Sequence, residues 1–188
     1  MTKLSRRLLT FLLVPLLGAL VATALPASPA SAAIVNGVAL NSTEAALVRY
    51  INNARQKAGI APVLVRPGTT DVARRWARYL STTQVLKHNP SFASQVAKSG
   101  SARWGRITEN VGYGSACDPA QLFNAYMNSP GHRRNILDRK VRYLGIGAVD
   151  RTAKGWPCGQ VWNTMNFVDY YQSSYGQTRV APTAQLNR

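Results

Sequence analysis

Acidic side chains are scarce in this sequence of 188 residues. Seven Asp and Glu residues stand against 23 Lys and Arg residues, and the formal net charge is +16. A protein with such an excess of positive charge attracts polyanions, so an acidic protein surface or a polymer of anionic units is the expected partner. We find no RNA- or DNA-binding motif, so nucleic acid is not expected. The alternative interpretation is that the charge serves only solubility or retention at a charged wall.

Long apolar runs are also lacking, with one exception at the amino terminus. Lys3, Arg6 and Arg7 precede an apolar stretch over residues 8–25, and small residues follow at 30–32. This order is typical of a secretory signal peptide over residues 1–32. An uncleaved membrane anchor is the alternative, although the stretch is near the lower limit for spanning a bilayer. Cleavage near residue 32 would leave 20 basic and 7 acidic residues, a net charge of +13. Outside a cell, wall polymers and anionic lipids are the polyanions that such a chain would meet.

Cysteine is limited to two residues, Cys117 and Cys158. In an exported chain this even count predicts one disulfide, which would be worth roughly 3–5 kcal/mol for a loop of this length. A metal-thiolate pair is the competing interpretation, but the sequence contains no C-x-x-C spacing to favour it.

Helix signals dominate the first half of the chain after residue 40. Asn41 and Glu44 have the spacing of a capping box, and a second helix is predicted from Thr70 to about Leu86. A turn is expected at residues 66–68. The arginines of the second helix are expected on a solvated face; they are Arg74, Arg75 and Arg78.

Strand signals dominate the second half of the chain. Residues 107–112 read as a strand, and the apolar runs at 143–149 and 160–168 read as a hairpin. Helices followed by paired strands indicate an α+β fold with helices covering a mostly antiparallel sheet. We divide the chain into a lead-in at 33–43, one domain at 44–170 and a loose polar tail at 171–188.

Histidine is as scarce as cysteine, with His88 and His132 alone. Neither has the local spacing of a metal motif, and each would more often be structural. Glu109 alternates with Ile107 and Val111, so a strand places a carboxylate on an apolar face. Such a carboxylate is either satisfied structurally or lines a cleft with a shifted pKa. His132 follows a helix start at Pro130, whose positive end favours the neutral imidazole that can bind metal or accept a proton.

Four segments occur in an order that resembles one known family. They are LKH at residues 86–88, TENVG at 108–112, YMNSPGHRRNIL at 126–137 and LGIGA at 144–148. The third segment is specific, and the order and spacing of the others strengthen it. The chain resembles bacterial members of the CAP superfamily, which includes cysteine-rich secretory proteins and the SCP-like extracellular domain. The resemblance covers roughly residues 45–167.

The resemblance implies a three-layer α-β-α sandwich with a central cleft that presents two histidines and two acidic residues. The motif positions match His88, His132 and the first acid, Glu109. The second acid is expected in the helix before the S-P-G-H motif, where this chain has no carboxylate, and Tyr126 replaces the usual tryptophan. The incomplete tetrad argues against acid–base catalysis, and no catalytic residue is assigned. His88 and His132 remain candidate ligands for Zn²⁺ or another divalent cation, with Glu109 orienting a ligand.

These observations favour a secreted binding module, either free or held at the wall, over an enzyme. The expected ligand is an anionic wall polymer, a lipid or a protein partner. The alternative is a metal-dependent, peptidase-like hydrolase that uses the same cleft. The sequence leaves ligand and oligomeric state open.

Overall fold

The computed structural model describes residues 33–100, 103–154 and 156–170. The expected signal peptide at 1–32 and the expected tail at 171–188 lie outside these residues. Within the described ranges, no helix combines the length and the apolar character needed to cross a membrane.

Five helices and six strands make up the described part of the chain. The helices are α1 (Ser42–Lys57), α2 (Pro67–Thr83), α3 (Phe92–Gly100), α4 (Pro119–Asn128) and α5 (Pro130–Ile136). The strands are β1 (Ala33–Val35), β2 (Val38–Leu40), β3 (Leu64–Val65), β4 (Trp104–Ser115), β5 (Tyr143–Ala153) and β6 (Trp156–Tyr170). The lead-in is thus a small antiparallel hairpin, β1–β2.

The main sheet has the strand order β3-β5-β6-β4. The pair β3–β5 is parallel, whereas β5–β6 and β6–β4 are antiparallel. The predicted hairpin between the last two strands is therefore confirmed, as is the α+β class with a mostly antiparallel sheet. The central strand, β6, runs beside β4 so that Glu109 lies opposite Asn166.

Apolar side chains alternate between the two faces of β6, and each face has its own helices. On one face Met165 and Phe167 pack with Leu47 of α1 and Leu122 of α4. On the other face Val168 packs with side chains of α2 and α3. The sheet is therefore the middle layer of the α-β-α sandwich that the family resemblance implies.

The glycines of β5 explain how closely α2 approaches the sheet. A Cβ atom on Gly145 would lie 2.2 Å from the carbonyl oxygen of Thr69, and one on Gly147 would lie 2.5 Å from the carbonyl carbon of Ala73. Real side chains do not reach such distances, so only glycine permits this contact between helix backbone and strand. The LGIGA segment thus has a packing role, which fixes the position of α2 and of the loop that follows it.

The helix starts agree with the sequence except in α2. In α1, Asn41 Oδ1 accepts from the backbone N–H of Glu44 and Glu44 Oε2 accepts from that of Asn41, which confirms the capping box. The prediction of a turn at residues 66–68 is wrong, because α2 already begins at Pro67. The helix ends at Thr83. Proline suits the first turn of a helix, where its missing N–H costs nothing.

Arg75 and Arg78 are exposed, as expected of a solvated face, whereas Arg74 is only partly exposed. Its Nε donates to Glu44 Oε1 at 2.9 Å, and its Nη2 donates to the other oxygen of the same carboxylate. Glu44 is fully buried, and it also accepts from the backbone N–H of Ala148 at 3.2 Å. The prediction for Arg74 was wrong because its partner lies 30 residues away and on another helix.

Arg55 of α1 is the largest fully buried side chain among the described residues. Its guanidinium donates to the carbonyls of Ile136, Asp138 and Val141 at 2.9, 2.9 and 3.0 Å, and to that of Ala61 at 2.8 Å. Burial lowers the pKa of Arg55. This one cation therefore holds the turn after α5 to the end of α1.

The predicted disulfide is present between Cys117 and Cys158, whose Cα atoms are 5.3 Å apart. Cys117 follows the end of β4, and Cys158 lies near the start of β6. The bond therefore closes a loop that includes α4, α5 and β5.

Candidate functional site

Glu109 occupies the middle of β4 on the face that α2 covers. Only 7% of its surface is exposed, as the alternation with Ile107 and Val111 predicts. Its Oε1 accepts from the backbone N–H of Asn89 at 3.0 Å and contacts His88 Nδ1 at 2.8 Å. Its Oε2 is buried and has no hydrogen-bond partner among the described residues. Burial raises the pKa of Glu109, although the hydrogen bonds from Asn89 and His88 oppose that rise.

His88 stands on the loop that follows α2. Gln84, with φ 55°, ends that helix in the left-handed conformation. The loop is held by Trp76, whose Nε1 donates to the carbonyl of Lys87 at 3.0 Å, and by the buried Asn89, whose Oδ1 accepts from the N–H of Ser91 at 3.0 Å. The loop thus presents the His88 ring directly against the sheet.

The contact with Glu109 sets the orientation of the His88 ring. An ionised carboxylate only accepts hydrogen bonds, so Nδ1 carries the proton and Nε2 faces outward with its lone pair when the ring is neutral. The His88 side chain is 66% exposed and that of Glu109 is 3% exposed. A buried carboxylate that aligns an exposed imidazole is the arrangement found behind metal-binding and proton-accepting histidines.

His132 is in the first turn of α5, as expected. Its carbonyl accepts from Asn110 Nδ2 at 3.1 Å, and Asn110 Oδ1 accepts from Asn135 Nδ2 at 2.8 Å. The same Asn135 amide donates to the Glu109 carbonyl at 3.3 Å, so α5 is attached to β4 beside the carboxylate. The His132 ring meets the Tyr126 ring edge to face at a centroid distance of 5.1 Å.

The pKa of His132 is lowered, first by burial and then by the charge of His88. The direction agrees with the neutral imidazole expected from the sequence, but the causes are burial and the charge of His88, whereas the sequence analysis named the positive helix end. The structure places the His88 ring in contact with Glu109, and it attaches α5, which carries His132, to β4 at Glu109 and Asn110.

Tyr126 lies in the helix where the resemblance would place the second acid. The ring is buried, and its hydroxyl donates to Asn163 Oδ1 at 3.0 Å. Burial and the charge of Glu109 raise the pKa of Tyr126, so its hydroxyl stays protonated at neutral pH. A Cβ atom on Gly112 would lie 2.6 Å from this hydroxyl, so the glycine of the TENVG segment makes room for it. Tyr126 is thus a neutral structural residue and does not replace the missing carboxylate.

Four of the six remaining carboxylates are engaged elsewhere. Glu44, Asp138 and Asp169 are paired with arginines, and Asp118 caps α4. In the described ranges, which include all seven acidic residues and both histidines, no three His, Cys, Asp or Glu side chains are grouped so that they could hold a metal ion. Among these residues His88 and Glu109 are thus the candidate side chains in direct contact, and His132 lies on the neighbouring α5.

The asparagines around the cleft were not singled out in the sequence analysis. Asn89, Asn110 and Asn135 hold the loop and α5 against β4, whereas Asn166 lies opposite Glu109 with both amide atoms buried and without a partner among the described residues. Asparagine is common in turns and on surfaces, and its frequency gave no signal of these roles. Two of these four asparagines lie within the family motifs: Asn110 in the TENVG segment and Asn135 in the YMNSPGHRRNIL segment.

Comparison with known proteins gives the chain its relatives. The model of the family described as "CAP: Cysteine-rich secretory protein family" matches residues 48–167. YkwD of Bacillus subtilis is 27% identical over 132 residues, which are 69% of this chain and 48% of that protein. The chain thus spans about half the length of this curated relative.

Solved structures share the fold at low sequence identity. An extracellular SCP-domain protein from Bacillus anthracis has a TM-score of 0.56 at 20% identity, covering 68% of this chain and 40% of that one. An outer surface protein from Borrelia burgdorferi has a TM-score of 0.57 at 16% identity, covering 70% and 95%. A cysteine-rich secretory protein from Staphylococcus aureus has a TM-score of 0.53 at 21% identity, covering 67% and 38%. With the family model matching well over half of its length, the chain belongs to the CAP family of cysteine-rich secretory proteins.

Proposed function

We propose that this chain is a secreted CAP-domain protein that binds an anionic polymer at the cell surface. The observation that carries the proposal is the uncompensated positive charge: 23 basic residues face seven acidic ones, and three of those seven are already paired with Arg74, Arg106 and Arg142. A protein with this field concentrates polyanions at its surface. Export is supported by the signal-like amino terminus, by the disulfide and by relatives that are described as extracellular or surface proteins.

A wall polymer suits this charge better than a membrane or a protein partner does. Among the residues that the structure describes, the large exposed apolar side chains are Ile34, Tyr79, Val85, Leu86 and Tyr113, and only Val85 and Leu86 are neighbours in sequence. Insertion into a bilayer requires a broad apolar face beside the basic residues. Electrostatic attraction to a polymer requires the basic residues alone.

The test is binding of the exported, oxidised protein to anionic wall polymer at increasing salt. We expect binding that weakens steeply as salt rises, since screening shortens the reach of surface charge. His88→Ala and Glu109→Gln serve as matched controls and should bind equally well. Salt-insensitive binding to lipid vesicles, or no binding to any polyanion, would contradict the proposal.

A metal-dependent hydrolase is the second candidate, and the His88–Glu109 contact is the observation that favours it. His88 Nε2 and the neutral ring of His132 are donors that suit Zn²⁺, and Glu109 would hold the His88 ring in the ligating orientation. In such a site the metal supplies Lewis acidity near neutral pH. Two protein ligands are fewer than the three of typical catalytic zinc sites, so we rank this function second.

A calorimetric Zn²⁺ titration tests the second candidate directly. We expect His88→Ala and His132→Ala each to abolish one-to-one binding, and the chain has no other imidazole that could replace them. Glu109→Gln keeps the acceptor oxygen but removes the charge, and it should weaken binding about 10- to 100-fold. Zinc that binds the variants as tightly as the parent would exclude a metal site in this cleft, and hydrolytic assays would then have no basis.

A further inference from the structure

A second concave surface lies apart from the three cleft side chains, and basic residues dominate its lining. It has a volume of about 600 Å³ and runs along α5, the end of α4, the start of β4 and the turn after α5. Its basic residues are Arg106, Arg133, Arg134, Arg139 and Lys140, and we call it the cationic groove. Asp138 is its only acidic lining residue. None of His88, Glu109 and His132 lines it.

Part of this charge is used by the protein itself. Arg106 forms an ion pair with Asp138, whose other oxygen accepts from the backbone N–H of Lys140 at 2.9 Å. Arg139 donates to the carbonyls of Ala58 and Gly59 at 3.1 and 3.0 Å, where α1 ends. Asp138 is therefore fully engaged and cannot neutralise the remaining cations.

Three cations of the groove are free to bind something else. Arg133, Arg134 and Lys140 are exposed, and their side chains make no hydrogen bond or ion pair with the residues that the structure describes. Like charges held together on one surface repel one another, so their proximity costs stability unless an anion joins them. Their arrangement is therefore more easily explained by a ligand than by the fold.

Hydrogen bonds from the protein interior hold the backbone beside these cations. Arg55 binds the carbonyls of Ile136, Asp138 and Val141 from the interior, so the turn between α5 and β5 has one conformation on both sides of Lys140. Arg139 ties the same turn to α1. A ligand would meet a surface that is already ordered, which lowers the entropic cost of binding.

We propose that the cationic groove binds a strand of a phosphate-bearing polymer. The inference rests on the proposed function, which it refines by naming the charged group and the place. Guanidinium groups match phosphate oxygens in two-point hydrogen bonds, and Arg133 and Arg134 supply two such groups. An open groove of about 600 Å³ is larger than one phosphate group needs, which favours a strand of a polymer over a single ion. Met127, Pro130 and Leu137 offer apolar contacts to the carbon atoms between phosphates.

Two other phosphate-bearing partners fit the groove less well. None of the described residues that line it is aromatic, so nucleic acid bases would find no stacking platform there. None of the large exposed apolar side chains lines it, so a bilayer would find no anchor beside its head groups. A phosphate polymer without bases or acyl chains remains the best match.

The experiment compares two pairs of arginines that carry the same charge. Arg133→Ser/Arg134→Ser removes two groove cations, and Arg75→Ser/Arg78→Ser removes two exposed cations from α2. Binding of the full exported protein to poly(glycerol phosphate) is measured by calorimetry at several salt concentrations. We expect the groove variant to lose about tenfold or more in affinity. The slope of log affinity against log salt concentration should also become smaller, by about 0.7 for each lost phosphate contact, which is the value for single-stranded nucleic acids. The control pair should change affinity by less than about threefold, and neither pair should lower the unfolding midpoint.

Each other result bears on a different claim. Equal losses in the two pairs would overturn the groove and leave the proposed function standing, because the binding would then follow overall charge. Equal affinity for polyglutamate would overturn the choice of phosphate. Tighter groove-dependent binding of single-stranded DNA or of phosphatidylglycerol vesicles would overturn the polymer class. A parent protein that binds no polyanion would overturn both the inference and the proposed function.

Discussion

Replacement of Arg55 by methionine isolates the contribution of one buried cation. Methionine has a similar length and flexibility, so the core volume is nearly kept, but it has no hydrogen to donate. The change removes donors from four carbonyls, which belong to Ala61, Ile136, Asp138 and Val141. Water cannot easily replace the lost donors at the carbonyls of Ile136 and Val141, because both bonds are buried and Arg55 itself is 1% exposed.

The expected loss follows from the number of hydrogen bonds. At about 1 kcal/mol net for each bond, the four bonds are worth about 4 kcal/mol. This is a large part of the roughly 5–15 kcal/mol that stabilises an ordinary domain. Relief of the desolvated charge acts in the opposite direction, since burial lowers the pKa of Arg55, so we expect a net loss of about 3–4 kcal/mol.

Urea unfolding followed by tryptophan fluorescence measures this loss. Arg49→Met is the matched control, since Arg49 is on the same helix and is exposed. It should cost less than about 0.5 kcal/mol. If Arg55→Met costs less than about 1 kcal/mol, or no more than the control, the carbonyl contacts do not carry the stability assigned to them, and the turn is held by something else.

Three further predictions concern the cleft, the packing of α2 and the disulfide. The parent should lose stability as the pH rises from 4.5, the ordinary pKa of Glu, to the raised pKa of Glu109 in the folded protein, by about 1.4 kcal/mol for each unit by which that pKa is raised. Glu109→Gln carries no such proton, so its stability relative to the parent should increase over the same pH range. A stability difference that stays constant from pH 4 to pH 8 would refute this reasoning. Gly145→Ala should lower the thermal midpoint, at a cost of about 1–3 kcal/mol, since its Cβ meets a helix carbonyl; an unchanged midpoint would show that α2 can move away freely. Serine at both Cys117 and Cys158 should cost about 3–5 kcal/mol in urea unfolding, and equal stability of the oxidised parent and this variant would contradict the loop-closure argument.

The local signals in the sequence were sufficient for the elements and the class of fold. The Asn41–Glu44 capping box and the helix start at Pro130 depend on residues within one turn, and both are found in the structure. The hairpin of β5 and β6 follows from two adjacent apolar runs. Patterns of this kind are readable because both interacting partners lie within a short stretch of sequence.

Contacts between distant segments could not be read in the same way. Glu44 and Arg74 are 30 residues apart, and a helical pattern gives no reason to prefer that pair over solvent. The role of Arg55 depends on carbonyls more than 80 residues away, which have no side-chain signature at all. The β5 glycines were recognisable as part of a family motif, but their physical reason needed the position of α2.

The candidate cleft lies between these two cases. Family motifs selected His88, Glu109 and His132; the first two are in contact in the structure, and Glu109 is buried as the alternation in β4 predicts. The hydrogen bond that fixes His88 and the amides that attach α5 to β4 needed coordinates, because they join separate loops, strands and helices. The cationic groove was visible in the sequence only as a local excess of Arg and Lys.

The bond between Cys117 and Cys158 also determines what happens when the backbone is cut. The enclosed segment contains His132 and four of the five basic residues of the groove, on α5 and the turn that follows. A protease that cleaves once anywhere between the two cysteines leaves both fragments joined through sulfur, so the nicked chain still runs as one species until a reductant is added. In a space shared with secreted proteases, the arginine-rich helix α5 can therefore be cut nearby without being lost from the molecule.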